Sequence, residues 1–296
     1  MEFSNAPAKI NLALHITGQR PDGYHLLDTL VVFADTIHAS DSIIIGKSAI
    51  DGFSVSGPFG DALKQGGLDE NLITKARDHV REIALDSSTE APPIHISLEK
   101  RLPIAAGIGG GSADAAATFK ALYQYWGVGY HPQKSSASVL AEVLGADVPM
   151  CMFGKPLRAV GIGDEISTIT DMPPLHLVLI NCGEKISTSS IFASLEEKQN
   201  PAIMDYPESS SNLISFLREQ TRNDLQAAAT EQCPLISDCL LALDQSGAMM
   251  SRISGSGATC FGVFASAVEA SIAARTIAAA EPDWWVVATK TSGSSI

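Results

Sequence analysis

The chain has 296 residues, 45% of them hydrophobic, with 20 basic against 33 acidic residues and a net charge of −13. Such a length supports one large domain or two ordinary ones with a sizeable core. A surface this acidic excludes general attraction to nucleic acid, so an anionic ligand would need a local site built from a few lysines and backbone donors.

Met1-Glu-Phe-Ser-Asn-Ala-Pro-Ala-Lys9 lacks the basic-then-apolar order of a signal peptide. No apolar run reaches the roughly 18 residues that span a bilayer. Ile10, Leu12, Leu14 and Ile16 alternate with Lys9, Asn11, Ala13 and His15, which predicts a strand over Ala8 to Thr17 with one apolar and one polar face. That polar face sets Lys9 and Asn11 two positions apart; a merely solvated face is the alternative. Gly18 to His25 reads as a loop around Pro21-Asp-Gly, followed by strands over Leu27 to Phe33 and Asp41 to Ile45. A helix is predicted from Leu68, capped by Asp69, to about Leu85, then a loop over Asp86 to Pro93 and a half-buried strand over Ile94 to Leu98. Ala113 to Tyr125 is Ala-rich with helical spacing, and His131 to Leu144 predicts another helix, ended by Gly145. Pro149 is expected to hold Val148 extended. Strands follow over Leu157 to Ile162 and Leu175 to Cys182, and Ser187 to Ser194 with the polar Glu196 to Ser211 reads as a loop-rich insert with one short helix. One helix starts near Asn223, another covers Cys233 to Gln245, and Met250 to Phe264 reads as strand, glycine loop and strand. A helix over Ala267 to Ala280 and a strand near Trp285 to Lys290 close the chain. There are no internal repeats. Mixed elements with few βαβ units predict an α+β class, with domains 1–155 and 156–296.

Cys151, Cys182, Cys233, Cys239 and Cys260 form no Cys-x-x-Cys pair. Neither a zinc site nor a disulfide framework is expected, and a reduced, cytoplasmic location is the simplest.

Gly107, Gly109, Gly110 and Gly111 lie between the Ile94 strand and the Ala113 helix. Glycine permits positive φ and close backbone approach. Ser112 reads as the helix N-cap and Asp114 as an acid in the first turn. A glycine turn opening a helix aims several N–H groups at one spot, and with the helix dipole that spot suits a phosphate. The P-loop does not fit, because no Gly-Lys-Ser/Thr closes the run. In the dinucleotide fingerprint the third glycine would fall on Ser112 or Asp114, and the serine-hydrolase elbow would need glycine at Asp114. A close-packed turn without ligand is the alternative.

Pro103-x-x-x-Gly107-Ile-Gly-Gly-Gly-Ser112 followed by Ala113 resembles the phosphate loop of the galactokinase, homoserine kinase, mevalonate kinase and phosphomevalonate kinase (GHMP) superfamily. Pro7-Ala-Lys-Ile-Asn-Leu12 and Gly255-Ser-Gly-Ala-Thr-Cys260 are similar to its other two motifs, in the same order. From residue 7 to about 264 the chain further resembles the branch that phosphorylates 4-diphosphocytidyl-2-C-methyl-D-erythritol. The specific segments are Arg20-Pro-Asp-Gly-Tyr-His-Leu-Leu-Asp-Thr29 and Leu144-Gly-Ala-Asp-Val-Pro149, with Gly161-Ile-Gly163 and Ser254 to Gly262 beside them. Ala105-Ala106, where Gly or Ser is frequent, and Ile253, where Met is frequent, depart from the pattern.

The resemblance implies a two-domain GHMP kinase fold, with an N-terminal domain like ribosomal protein S5 domain 2 and a ferredoxin-like C-terminal domain. It implies ATP-dependent phosphorylation of the substrate's 2-hydroxyl, with Mg2+ entering through ATP and no metal ligand assigned to the protein. Asp147 matches the family's base and Lys9 its catalytic lysine. Pro103, Gly107, Gly109, Gly110, Gly111, Ser112 and Ala113 would hold the ATP phosphates, with Asn71 and Lys100 near the adenine. For the cytidine end, Tyr24 offers a stacking face, His25 hydrogen-bonding groups and Phe192 a second face. Asn11 and Thr188 would lie near the sugar-like end, and Gly255, Ser256 and Gly257 would brace the site or contact the diphosphate. The implied partners are these small molecules alone, with no nucleic acid, membrane or obligate protein partner.

Overall fold

The computed structural model describes residues 1–65, 71–129, 131, 133–204, 206 and 212–293. In chain order its elements are β1 (Glu2–Pro7), β2 (Lys9–Gln19), β3 (His25–Phe33), β4 (Ser40–Lys47), β5 (Gly52–Ser56), α1 (Gly60–Gln65), α2 (Leu72–Asp86), β6 (Ile94–Glu99), α3 (Gly110–Trp126), α4 (Ala137–Leu144) and α5 (Val148–Phe153). There follow β7 (Leu157–Gly161), β8 (Glu165–Thr168), β9 (His176–Asn181), α6 (Thr188–Ala193), α7 (Leu213–Glu219), α8 (Gln226–Gln232), α9 (Leu235–Gln245), β10 (Met250–Ile253), β11 (Cys260–Phe264), α10 (Ala267–Ala280) and β12 (Trp285–Lys290).

These elements form two compact units, neither of them a continuous stretch. The first comprises Met1–Ala8, Ala39–Ile104 and Gly109–Phe153; the second comprises Lys9–His38, Ala105–Ile108 and the chain from Gly154 onward. The first unit holds a sheet in the order β1-β4-β6-β5, in which β5 and β6 are parallel and the other pairs antiparallel. On β6 the alternation of Ile94, Ile96 and Leu98 puts the apolar residues inward and leaves His95, Ser97 and Glu99 half-buried. Asn71 caps α2 by accepting from the Ile73 amide at 2.9 Å. The expected start at Leu68 with Asp69 as cap lies outside the described residues.

The second unit holds two antiparallel sheets, β2-β3-β7-β8 and β10-β11-β9-β12. Val178 and Ile180 of β9 and Ile253 and Cys260 of the β10–β11 hairpin share one core with Ile236, Cys239 and Leu243 of α9 and with Ala270, Ala273, Ala274 and Ile277 of α10. Small alanines let α10 approach its sheet closely. With a single parallel pair among the named strands of the described residues, the class is α+β.

Four local expectations are corrected. β2 is buried on both faces, including Lys9 at 4% and Asn11 at 1% exposure, so its polar residues are interior groups and not a solvated face. α3 begins at Gly110, with Gly109 in the left-handed conformation before it (φ +62°), so Ser112 lies inside the helix and is not its cap. Asp114 is buried, away from the dipole-facing first turn. Val148 opens α5 with Pro149 in the first turn, where a missing N–H breaks no helical bond.

Four of the five cysteines gather in the second unit: Cys182 and Cys233 place their sulfurs 4.0 Å apart, and Cys233, Cys239 and Cys260 share its apolar core, while Cys151 lies in the first unit. All are free thiols. A neighbouring thiol and burial push the Cys182 thiol up, and burial does the same to Cys233, as expected of inert structural cysteines.

Candidate active site

In the second unit, three stretches distant in sequence are knitted backbone to backbone. Pairing between β2 and β3 slips between Asn11 and Ala13, a bulge that takes Leu12 out of register. The Leu12 carbonyl accepts instead from Arg252 Nη1 at 2.7 Å. Arg252 spends its other donors on Thr221 and the Leu217 and Thr221 carbonyls, and burial lowers its pKa to about 10. The Lys9 amide donates to the Ile108 carbonyl at 2.9 Å. The Asn11 amide donates to Ser254 Oγ at 3.1 Å, and Ser254 Oγ donates to the Gly107 carbonyl at 3.0 Å. Asn223 Nδ2 donates to the carbonyls of Ile253 and Gly255. The motif segments at Lys9, Gly107 and Gly255 are therefore one assembly.

The side chains follow. Lys9 Nζ donates to Asn11 Oδ1 at 3.1 Å, and Asn11 Nδ2 donates to Thr29 Oγ1 at 2.8 Å, so the lysine is held by an oriented amide. Thr188 and Ser256 share a hydroxyl–hydroxyl bond of 2.8 Å.

At the β2–β3 hairpin, the Arg20 amide closes the turn on the Tyr24 carbonyl at 2.7 Å and leaves the Tyr24 ring 61% exposed. The His25 ring lies 5.0 Å from Phe192 of α6, centroid to centroid. Its Nε2 is buried and has no hydrogen-bond partner among the described residues. Burial, and secondarily Lys198, lower the His25 pKa, so the ring is neutral at pH 7. The pair presents aromatic surface beside the exposed Tyr24, and the closed-off Nε2 could pair with a ligand only if the ring were uncovered.

The polar insert is tied down where it is described. The Asn200 amide donates to the Ile16 carbonyl, the Pro201 carbonyl is held by His15 Nδ1 and Arg222 Nη2, and Ile203 is clamped by the Asp28–Arg158 pair. Residues 205 and 207–211 lie outside the described residues.

In the first unit, α3 starts at Gly110 with no side-chain cap, so no side chain of its N-cap residue takes up its first N–H groups. Pro103 is buried ahead of the loop. Ala113 is buried, and its amide makes the first helical bond, to the Gly109 carbonyl. Lys100, expected beside adenine, is 3% exposed, and its Nζ donates to Asp41 Oδ2 at 2.5 Å and Asp114 Oδ2 at 2.7 Å. Burial alone would pull the Lys100 pKa down; the two carboxylates outweigh it and hold it up. Burial, against the pull of Lys100, pushes Asp114 up to about 8. Asp147 sits between Gly145 and α5, its carbonyl accepting from the Cys151 amide.

Sequence reasoning missed Asp41, Arg252, Ser254 and Asn223 as supports, since each acts on a segment remote in the chain. The Asn-Asp before α8 and the Ser before Gly255 were visible signals of local backbone capture.

The GHMP kinases N terminal domain family matches residues 71–155, and the GHMP kinases C terminal family matches residues 208–283. The 4-diphosphocytidyl-2-C-methyl-D-erythritol kinase of Agrobacterium fabrum is 47% identical over 97% of this chain and 95% of that protein. The enzyme of the same name from Sinorhizobium medicae is 46% identical over 98% of this chain and 95% of its own length. The chain belongs to the GHMP kinases, in the family of 4-diphosphocytidyl-2-C-methyl-D-erythritol kinases. A crystal structure of a 4-(cytidine 5'-diphospho)-2C-methyl-D-erythritol kinase matches with a TM-score of 0.77 and 27% identity, over 98% of this chain and 100% of that one. Homoserine kinase from Cytophaga hutchinsonii shares the fold at a TM-score of 0.67 and 16% identity, over 99% of this chain and 95% of that one. This GHMP kinase is thus a small-molecule kinase of the two-domain α+β type, and ATP is the substrate its superfamily uses.

Proposed function

We propose that this kinase transfers the γ-phosphoryl group of ATP to the 2-hydroxyl of 4-diphosphocytidyl-2-C-methyl-D-erythritol, a step toward isoprenoid precursors, in the cytoplasm. The observation that carries the substrate choice is the neutral His25 ring, packed on Phe192 with a buried, unsatisfied Nε2. A site built around an unpaired polar atom discriminates strongly in favour of a ligand that pairs it. A pyrimidine offers both the stacking face and the edge, with exposed Tyr24 as a second ring. Asn11, Thr188 and the Gly255-Ser256-Gly257 turn receive the methylerythritol diphosphate end.

On the nucleotide side, Gly107, Gly109, Gly110, Gly111, Ser112 and Ala113 receive the phosphates, with Pro103 setting the loop's start and Asn71 near the base. In this reading residues 1–155 carry the ATP-binding segments and residues 156–296 the second domain, while by packing Lys9–His38 and Ala105–Ile108 belong to the unit that resumes at Gly154. Asp147 takes the proton of the attacking hydroxyl, because an alcohol is a poor nucleophile at neutral pH. Lys9 supplies positive charge toward the transferred group. Both assignments rest on the motifs that carry the family resemblance. Among the described residues no group of three or more His, Cys, Asp or Glu side chains forms a metal cage. Mg2+ would enter on the triphosphate, since this ion keeps waters and phosphate oxygens as ligands. Bound there, it would supply charge neutralisation on the phosphates.

An ADP-release assay over a panel of acceptors tests the reading. Turnover with the diphosphocytidyl substrate, and far less with homoserine or mevalonate, is expected; preference for either of those would overturn it. Asp147→Asn should lower kcat by about 10²–10⁴-fold with ATP affinity nearly unchanged. Near-full kcat in that variant, with chemistry rate-limiting, would remove Asp147 as base.

A further inference from the structure

The loop from Pro103 to Ser112 leaves β6 and enters α3, and its two ends are joined beneath it by charged side chains. Asp41 of β4 is fully buried. Its Oδ1 accepts from the amides of Arg101 and Leu102, the residues where the chain leaves β6, at 2.6 and 2.8 Å. Its Oδ2 accepts from Lys100 Nζ, which also donates to Asp114, one turn into α3. A continuous chain of hydrogen-bonded polar side chains thus runs from β4 through the β6 exit to the start of the helix. Lys100 Nζ lies so close under the loop that a Cβ on Gly110 would stand 3.1 Å from it.

We infer that Asp41, Lys100 and Asp114 are positioning residues for ATP: they fix the N-terminal turn of α3 so that its uncapped N–H groups hold the phosphates, without touching the nucleotide. The inference rests on the proposal that this loop holds ATP. Simple stabilisation is a poor account of the trio. Two carboxyl groups share one buried ammonium, burial drives Asp114 toward its protonated form, and Asp114 Oδ1 has no hydrogen-bond partner among the described residues. Buried ionic groups of this kind are often replaced by apolar ones of similar volume with no loss of stability. What an apolar contact does not supply is a directional bond between β6 and α3.

Asp114→Leu tests this, since leucine keeps the branched four-atom shape, cuts the link and leaves Lys100 paired with Asp41. The variant should fold with a thermal midpoint within a few degrees of the parent. In nucleotide-free protein, amide exchange at the first hydrogen-bonded amides of α3, Ala113, Ala115 and Ala116, should quicken by about tenfold or more, with α2 and the second unit unchanged. The Kd for ATP should rise by about tenfold. Asp114→Asn, which retains an acceptor for Lys100, should restore both to within about threefold. If Asp114→Leu does not fold, the same readings on Lys100→Met/Asp114→Leu decide. Parent-like exchange in the folded, nucleotide-free variant overturns the inference, as does Asp114→Asn matching Asp114→Leu. Weaker ATP binding with unchanged exchange would also overturn it, and would mean that the trio acts on the nucleotide directly. Exchange is read without ligand, so a parent protein that binds no ATP would count against the functional proposal while leaving the clamp itself judged.

Discussion

A Cβ added to Gly107 would stand 2.2 Å from the Ser254 carbonyl oxygen and 2.7 Å from that of Gly257, whereas one added to Gly111 would meet nothing nearer than Leu72 Cδ1, at 3.9 Å. The two glycines lie four residues apart in one loop, yet they are glycine for opposite reasons. Gly107 has φ +74° and packs directly on the loop between β10 and β11, where Gly255 in turn faces the Gly107 carbonyl. Protein backbone has taken its space. Gly111 lies in a helix, with ordinary φ, exposed, and with room for a side chain. In that position glycine costs helix stability and gains no packing. An open glycine at an uncapped helix N-terminus is what the proposed phosphate site calls for, since such a terminus attracts anions.

Gly107→Ala gives the largest effect. No rotamer relieves a clash with backbone, and the left-handed φ adds strain, so the fold should lose about 3 kcal/mol or more, read by chemical denaturation. A loss under about 1 kcal/mol would mean that the two loops part easily and that the crowding is not structural. Gly110→Val is next. Its Cβ meets the tip of a lysine pinned by two carboxylates and its branches cover the helix N-terminus, so the Kd for ATP should rise by about tenfold or more. Unchanged ATP affinity in the folded variant would take the loop out of the nucleotide site. Gly111→Ala sharpens the contrast because stability and binding should move in opposite directions. The fold should gain about 0.5–1 kcal/mol from helix propensity. ATP should bind about threefold more weakly, equivalent to about 0.6 kcal/mol. If both improve, the space at Gly111 is not ligand space.

The glycine cluster was plain in the sequence, but the reason for each glycine was not. Gly107 is crowded by Ser254 and Gly257, some 150 residues away, and no local pattern carries that. The same non-locality explains other differences. β6 was legible because Ile94, Ile96 and Leu98 face inward while their neighbours are half-buried, whereas β2 alternates in the same way yet is buried on both faces. β1, Glu2 to Pro7, carries little β propensity and is a strand because it pairs along its length with β4. α10 and β12 matched their expected bounds, being long or apolar enough to decide locally. At the candidate site, Lys9 and Asn11 were visible as neighbours on one strand face, and the structure bonds them. Lys100 was read, from the family resemblance, as a residue near the adenine; its bond to Asp41, 59 positions away, had no local signal.

The smallest test concerns Ala105, where the family resemblance leads one to expect Gly or Ser. Its φ is +53°, in the left-handed region, and the residue is exposed. An L-residue there costs roughly 1–2 kcal/mol. Glycine relaxes that strain but gives back about 0.5–1 kcal/mol through its freer unfolded chain. The alanine methyl is exposed, so little burial is lost on removing it. Ala105→Gly should therefore stabilise the fold slightly, by about 0.5 kcal/mol, with ATP affinity unchanged. A stabilised variant that also binds ATP more weakly would show that the strain at Ala105 is put to use, presetting the loop for its ligand as strain at functional sites can do. A clear destabilisation would instead place Ala105 with Gly107, as a residue whose identity is set by its packing in the folded chain.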